Sequence, residues 1–340
     1  RRQRQMCIRD RSETRHEHNT PHVLKQYALQ ADVPVPWVDI GLRATHPVLC
    51  ISDFVLALEK EDKLDNVLFC GHGPSDFKDF WTKYRDGHPN HAIYSHHATH
   101  LSRCIPFWLH GDEGVTHKKK SLLCLQAQPI LGHGSSRGAD LNTLGSTFTT
   151  RWLFSVLLAR LYKKRPAVLH RLVDVWALQL KDAFEKGVEV TCWGKRRRIY
   201  LVTLGLKGDW PALTSLGRLT RHHLRNAPMA LAPAGICHLC GAGRRDYPWW
   251  DFGSTAAWLT RKEALPLPWR AASGFVNIPQ DESLPSFYML DLFHVCHKGI
   301  AADFTASTIV SRMLVLFYAV HLCRLVCDGA FSNTVSYTHL

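Results

Sequence analysis

The chain has 340 residues, of which 46% are hydrophobic and 21% are charged. This length and composition predict one large domain or two ordinary ones with packed cores, and they exclude wholesale disorder, collagen and coiled-coil architectures. The 42 Lys and Arg residues outnumber the 29 Asp and Glu residues, which gives a net charge of +13 and favours an acidic partner. The 21 histidines and 11 cysteines make a metal site a reasonable expectation.

Both ends of the chain resemble translated sequencing adapters. Residues 1–11 read RRQRQMCIRDR, and residues 335–340 read VSYTHL. We therefore expect both segments to be artefacts and the native protein to continue beyond them. The alternative for the first segment is a genuine basic arm that binds phosphates.

Four segments lie between these ends. Residues 12–100 form a polar N-terminal region with helical patterns, and residues 101–226 carry the strand and helix patterns of a core. Residues 227–290 form an insertion with a Cys-x-x-Cys motif, and residues 291–334 are expected to be the C-terminal helical part of the core.

The core segment has the clearest patterns. Strands are predicted at residues 104–110, 121–131, 188–193 and 198–206. Residues 147–161 form either a strand running into a helix or one helix. Pro166 suits a first helical turn, apolar residues follow at spacings of three and four, and Gly187 can end that helix. A second helix is predicted to begin near Asp209.

Two aspartates, Asp112 and Asp209, follow two of the predicted strands. Strand ends can hold carboxylates rigidly enough to ligate a pair of divalent cations, the arrangement that a two-metal nuclease requires. The alternative is that these residues are a turn residue and a helix N-cap, which are common roles of aspartate.

Four motifs, in this order along the chain, together resemble Plavaka/CACTA-like DNA transposases. They are IPFWLHGD at 105–112, GDWPAL at 208–213, GICHLC at 235–240 and DLFHVCHKGIAAD at 291–303. The first two resemble the segments around the family's first and second aspartates. The residues after Pro211 lack the acidic-polar pair that the family pattern would place there.

The resemblance implies an α/β, ribonuclease-H-like mixed sheet with flanking helices and a Cys/His-bearing insertion. It implies an acidic triad that uses Mg²⁺ or Mn²⁺ to cut and join DNA strands. Asp112 and Asp209 would be its first two members, and Asp303, with Asp291 as the alternative, is the candidate for the third. DNA would then be the partner, a homo-oligomer is possible, and nuclear localisation follows from the substrate. The alternatives are a non-catalytic, zinc-stabilised remnant of a transposable element and an unrelated enzyme.

A zinc site is predicted from two spaced pairs of ligands. Cys237 and Cys240 supply two sulfurs, and His294 and His297 supply two nitrogens, a set suited to tetrahedral Zn²⁺. Such a site would cross-link the insertion to the core. A rival metal site is the histidine-rich segment 88–100 with Cys70 and His72, which lacks paired spacing and is more typical of a solvated loop.

Two basic groups are candidates for contact with DNA phosphates. They are Lys195, Arg196, Arg197 and Arg198 at the hairpin turn, and a predicted helix stripe of Arg218, Arg221, His222 and Arg225. The alternative for both is a solvated, charged surface. Trp249, Trp250 and Trp269 could stack on bases, but burial in the core is the stronger expectation for each.

Neither a membrane nor a nucleotide cofactor is expected. The most apolar stretch, 307–327, is interrupted by Arg312, His321 and Arg324, which favours a buried amphipathic helix over a membrane span. The glycines at 132 and 134 lack the third glycine of a dinucleotide-binding fingerprint, and the sequence has no Walker lysine.

Overall fold

A computed structural model of the chain describes residues 32–115, 120–132, 151–222, 235–260 and 266–290, together with residue 306. The chain divides into two units, residues 1–289 and residues 290–340, and nearly all described residues belong to the first. Within these ranges the helices are α1 (Ile51–Lys60), α2 (Pro74–Gly87), α3 (Ile93–His96), α4 (Ala159–Tyr162), α5 (Pro166–Glu185), α6 (Trp210–Gly217) and α7 (Ala257–Thr260).

The strands form a two-stranded ribbon and a six-stranded mixed sheet. They are β1 (Trp37–Val38), β2 (His46–Pro47), β3 (Cys104–Val115), β4 (Ser121–Pro129), β5 (Trp152–Leu158), β6 (Val188–Cys192), β7 (Lys195–Gly208) and β8 (Tyr288–Leu290). The large sheet has the order β5-β4-β3-β7-β6, and β8 also pairs with β7. Strand β7 runs parallel to β3, whereas β3–β4, β4–β5 and β6–β7 are antiparallel. The predicted α/β class with a mixed sheet and flanking helices is therefore confirmed.

Helix α5 covers one face of the sheet. Its apolar positions, including Leu172 and Trp176, pack in one hydrophobic cluster with Phe107 and Leu109 of β3. The helix begins at Pro166, and Gly187 follows it with a φ of +63°, as the sequence pattern predicts.

The opposite face carries a smaller apolar cluster. Cys104 of β3 and Val202 and Leu204 of β7 pack there with Trp81 of α2 and Ile93 of α3. Successive strand residues point to opposite faces, so odd-numbered positions of β3 from Ile105 face α5 and even-numbered positions face this second cluster.

Three details of the predicted elements are resolved or corrected. Residues 152–162 are a strand followed by a short helix, the first of the two alternatives. Strand β3 does not stop before Asp112 but continues to Val115, because its pairing with β4 extends to Ser121. The helix after Asp209 ends at Gly217, where Arg218 adopts a left-handed conformation with a φ of +55°.

Candidate functional site

Each of the two candidate aspartates follows one member of a register pair in the parallel strands β3 and β7. In the parallel pairing of β3 with β7, Gly111 is the register partner of Gly208. Asp112 and Asp209 are the next residues on the two strands. Asp112 is exposed and pairs across the ladder with Cys124, whereas Asp209 is half-buried. The strand register thus brings close together the backbones of two acids that are far apart in sequence.

Asp209 also begins helix α6. Its extended backbone and its side chain place it at the N-cap, where Oδ1 accepts a hydrogen bond of 2.8 Å from the Ala212 N–H. One carboxylate oxygen accepts this bond and the carboxylate keeps further acceptor capacity, so capping and metal ligation are chemically compatible.

A third acid, Glu113, was missed by the sequence reasoning. It follows Asp112 on β3, so its side chain points to the α5 face. Its Oε2 accepts a hydrogen bond of 2.8 Å from the Tyr162 hydroxyl, and its Oε1 accepts one of 2.6 Å from Lys163 Nζ. Strand alternation alone indicates that neighbouring acids in β3 must face opposite sides.

The electrostatics of Tyr162 link Glu113 to Asp209. Burial raises the pKa of Tyr162, and the hydrogen bond to Glu113 and the negative charges of Glu113 and Asp209 raise it further. Burial would raise the pKa of Glu113 too, but the hydrogen bonds from Lys163 and Tyr162 outweigh burial and lower it. Asp209 therefore lies within electrostatic range of the Glu113–Tyr162 pair.

A cleft of about 480 Å³ opens beside these groups. Glu113, Tyr162 and Lys163 line one side, and residues of α5 and α6 line the others.

The carboxylates of Asp112 and Asp209 are of the ligand type that suits a hard cation. Carboxylate oxygens are the protein ligands that Mg²⁺ prefers, and this ion commonly uses one or two carboxylates together with waters and substrate phosphates. Asp112 and Asp209 supply two such donors. Within the described ranges no three His, Cys, Asp or Glu residues form a metal-binding group, and the proposed third acids, Asp291 and Asp303, lie outside those ranges.

The Cys-x-x-Cys turn brings together two of the four candidate zinc ligands. The Leu239 N–H donates to Cys237 Sγ at 3.4 Å, and the Cys240 thiol donates to the same sulfur, which lowers the pKa of Cys237. His238 points away from this pair, because its Nε2 bonds to the Tyr288 carbonyl at 2.8 Å. His294 and His297 lie outside the described residues.

The rival histidine-rich segment is spread over separate contacts. His72 Nε2 bonds to the Gly132 carbonyl, His88 Nδ1 to Asp281, and His97 Nε2 to the Phe184 carbonyl. Cys70 Sγ donates to the Val67 carbonyl. These side chains take part in packing and do not form a metal-binding group in the described part of the chain.

The first basic group lies in a strand and is partly paired with carboxylates. Residues 195–198 begin β7 and do not form the turn, which consists of Trp193 and Gly194. Arg196 pairs with Glu59 at 2.6 Å and Arg198 with Glu189 at 2.8 Å, whereas Lys195 is exposed and Arg197 is half-buried.

The second basic group does not form a helix stripe, because α6 ends before it. Arg221 is buried and donates to the carbonyls of Pro266 and His238, so its guanidinium holds the insertion in place. Arg218 donates to the Ala272 carbonyl and lines the cleft. Arg225 lies outside the described residues.

The tryptophans of the insertion differ from one another. Trp269 is buried as expected, but the expected burial of Trp249 and Trp250 is wrong, since 46% and 49% of their surfaces are exposed. No helix in the described ranges is long and apolar enough to cross a bilayer, and segment 307–327 lies outside those ranges.

No protein-family model matches the chain, and no curated protein is significantly similar to it in sequence. The function is therefore inferred from the positions of Asp112 and Asp209 and from the sequence motifs.

Proposed function

We propose that the chain is a metal-dependent, transposase-like nuclease with a ribonuclease-H-like fold that cleaves and transfers DNA strands. One observation carries this proposal: the register of β3 with β7 places the backbones of Asp112 and Asp209 next to each other where the pairing of these two central strands ends. Carboxylates that converge from adjacent parallel strands can share a divalent cation.

The sheet topology supports the finer fold assignment. Strands β3, β4 and β5 form an antiparallel meander, helix α5 crosses the sheet, and β7 returns parallel to β3 at its centre. A central parallel pair with an acid in or directly after each strand is the arrangement expected from the resemblance to acidic-triad transposases.

In this mechanism Asp112 and Asp209 would hold Mg²⁺ or Mn²⁺, and Asp303 is proposed as the third acid. The bound cation would supply an activated water and stabilise the charge that develops on the phosphodiester. Asp112, whose side chain is exposed, presents its carboxylate to incoming DNA. The N-cap bond to Ala212 fixes the orientation of the Asp209 carboxylate before substrate arrives.

The proposal extends to DNA binding, zinc and localisation. The net charge of +13 favours DNA as partner, and Lys195, Arg196 and Arg198 are exposed, whereas Arg218 is half-buried. Cys237, Cys240, His294 and His297 are proposed to hold a structural Zn²⁺. Nuclear localisation is proposed from the substrate alone.

A second candidate function is a non-catalytic, zinc-stabilised DNA-binding or structural remnant of a transposable element. The N-cap bond of Asp209 favours it, because helix capping by itself gives this aspartate a structural role.

Nicking of supercoiled plasmid DNA by the purified full chain separates the two candidates. We expect nicking that requires Mg²⁺, stops with a chelator, and is lost in Asp112→Asn and in Asp209→Asn. The matched control is Asp79→Asn, at an exposed aspartate of helix α2. Salt-dependent DNA binding with no nicking by the unaltered chain would favour the remnant. Equal nicking by all variants would overturn the assignment of both acids.

A further inference from the structure

The cleft beside Glu113 combines an apolar floor with a basic rim. Leu123 of β4, Leu169 of α5 and Leu216 of α6 line it, and all three are buried or nearly so. Lys163 and Arg218 contribute the positive charges of the lining. An apolar surface next to cations matches a ligand with one flat, weakly polar part and one anionic part.

The size of the cleft suits one such unit. Its volume of about 480 Å³ lies in the range of pockets that enclose small organic ligands. A nucleotide is such a ligand, since its base can pack against apolar side chains and its phosphate can pair with Lys or Arg.

The rim is arranged before any ligand arrives. Both oxygens of Glu113 are engaged, one by the Tyr162 hydroxyl and the other by Lys163 Nζ, so Glu113 acts as a positioning residue for the lysine. His170 also lines the cleft, and burial and the charge of Arg218 lower its pKa, which keeps the ring neutral near pH 7. A neutral imidazole can donate to or accept from the edge of a base.

Helix α6 connects the cleft to Asp209, one of the proposed catalytic residues. Helix α6, which forms one wall through Thr214 and Ser215, begins at Asp209. Asp209 and the cleft are therefore connected by a single two-turn helix.

We propose that this cleft binds one unstacked nucleotide of a DNA strand, with its phosphate at Lys163 and Arg218 and its base against the leucine floor. The choice of DNA as the source of the nucleotide rests on the proposed function. Extruding a base from a duplex costs a few kcal/mol, so the cleft is expected to favour single-stranded over duplex DNA.

Fluorescence anisotropy of a labelled single-stranded oligodeoxynucleotide, measured with the full chain in a chelating buffer, tests the proposal without cleavage. Ser215→Trp fills the cleft from an exposed position of α6, and Lys163→Ala removes a rim cation. We expect Lys163→Ala to weaken binding about tenfold, the usual effect of losing a charge-assisted hydrogen bond, and Ser215→Trp to weaken it at least as much by excluding the base.

The controls are Glu185→Trp on the exposed surface of α5 and Lys164→Ala, which neighbours Lys163 but does not line the cleft. We expect both to bind within about twofold of the unaltered chain. If Ser215→Trp fails to fold by circular dichroism, Lys163→Ala against Lys164→Ala decides the question, since both side chains are exposed. Equal affinities for the cleft variants and their controls would overturn the proposal.

Two further measurements separate the sources of the ligand and the two hypotheses. A nucleoside monophosphate that displaces the oligonucleotide with equal affinity would identify a site for free nucleotides and overturn the DNA assignment. If the cleft variants bind single-stranded DNA normally and the unaltered chain nicks plasmid DNA, the nucleotide-binding role of the cleft is wrong and the nuclease proposal is supported. If the cleft variants bind single-stranded DNA more weakly and the unaltered chain does not nick DNA, the nucleotide-binding role of the cleft is supported and the nuclease proposal is wrong.

Discussion

Gly111 and Gly208 face each other across the parallel strands β3 and β7, and an aspartate follows each of them. A Cβ atom on Gly208 would lie 2.5 Å from the carbonyl oxygen of Gly111, so this strand pair approaches too closely for a side chain there. The lack of a side chain at Gly208 thereby allows the close approach of the two strands directly before Asp112 and Asp209.

Replacement of Gly111 by alanine is expected to destabilise the fold. The new Cβ would lie 2.5 Å from Leu216 Cδ1 and 3.4 Å from Leu125 Cδ2, so the buried Leu216 side chain must change its conformation or α6 must move away from the sheet. Overpacking of this kind costs about 1–3 kcal/mol in free energy of unfolding, measurable by urea denaturation.

Gly114→Ala is the matched control for Gly111→Ala. Gly114 lies in the same strand, and a Cβ there meets no atom within 4 Å. Its stability is expected to stay within about 0.5 kcal/mol of the unaltered chain. Equal stability of the two alanine variants would show that α6 does not pack closely over Gly111.

Two substitutions at Asp209 separate its capping role from its proposed catalytic role. Asparagine caps helices about as well as aspartate, so Asp209→Asn should keep nearly full stability, whereas Asp209→Ala should lose about 1 kcal/mol. Both should lose Mg²⁺-dependent nicking, because an amide ligates the cation poorly and alanine does not ligate it. Normal nicking by Asp209→Asn, with thermal unfolding as the parallel measurement, would restrict this residue to capping.

Local patterns predict the elements that local physics determines. Helix α5 has its proline at the start, buried residues at helical spacing and a left-handed glycine after its end, and all of these signals lie within one segment. The end of α6 has a different cause. Arg218 and Arg221 continue the spacing of a helix, yet α6 stops because distant residues satisfy its last turn, including Ser273, whose hydroxyl donates to the Leu216 carbonyl. Such contacts cannot be seen in sequence spacing.

The candidate site shows the same division. Glycine-aspartate pairs after apolar runs predict the point where the β3–β7 pairing ends, at Gly111 and Gly208, although β3 itself continues to Val115. The role of Glu113 depends on how far β3 extends beyond β7, and on Tyr162 and Lys163, which reach it from a helix about fifty residues away. Neither the extent of pairing nor that helix position follows from a local pattern.

Burial of His91 should make the fold sensitive to mild acid. His91 is 2% exposed, its Nδ1 accepts from the Ile93 N–H, and its Nε2 meets no hydrogen-bond partner in the described part of the chain. Burial lowers its pKa from 6.5 to about 4; the negative charge of Asp281 opposes this, and His88 adds to it. Tyr84 and Trp81 pack around the ring.

The unfolded chain therefore takes up a proton at His91 near pH 6.5, and the folded chain does so only near pH 4. The contribution of neutral His91 is complete above this window and is lost as the pH falls through it, by up to about 3 kcal/mol. His91→Gln should flatten the fall in unfolding free energy between about pH 7 and pH 5. His96→Gln, at an exposed position, should not. Identical pH profiles for the two variants would contradict this assignment.

Metal analysis of the purified full chain tests the zinc site. Cys237 and Cys240 lie on one turn whose N–H groups already point at sulfur, so the pair is arranged as a chelate before the histidines are added. We expect about one zinc ion per chain, lost in Cys237→Ser and in Cys240→Ser, with a lower unfolding temperature in each because the metal cross-links the insertion. Cys50→Ser is the control, since Cys50 is the N-cap of α1, where serine is well suited. His294→Ala and His297→Ala should weaken zinc retention, whereas full zinc content in Cys237→Ser, or none in the unaltered chain, would remove the site.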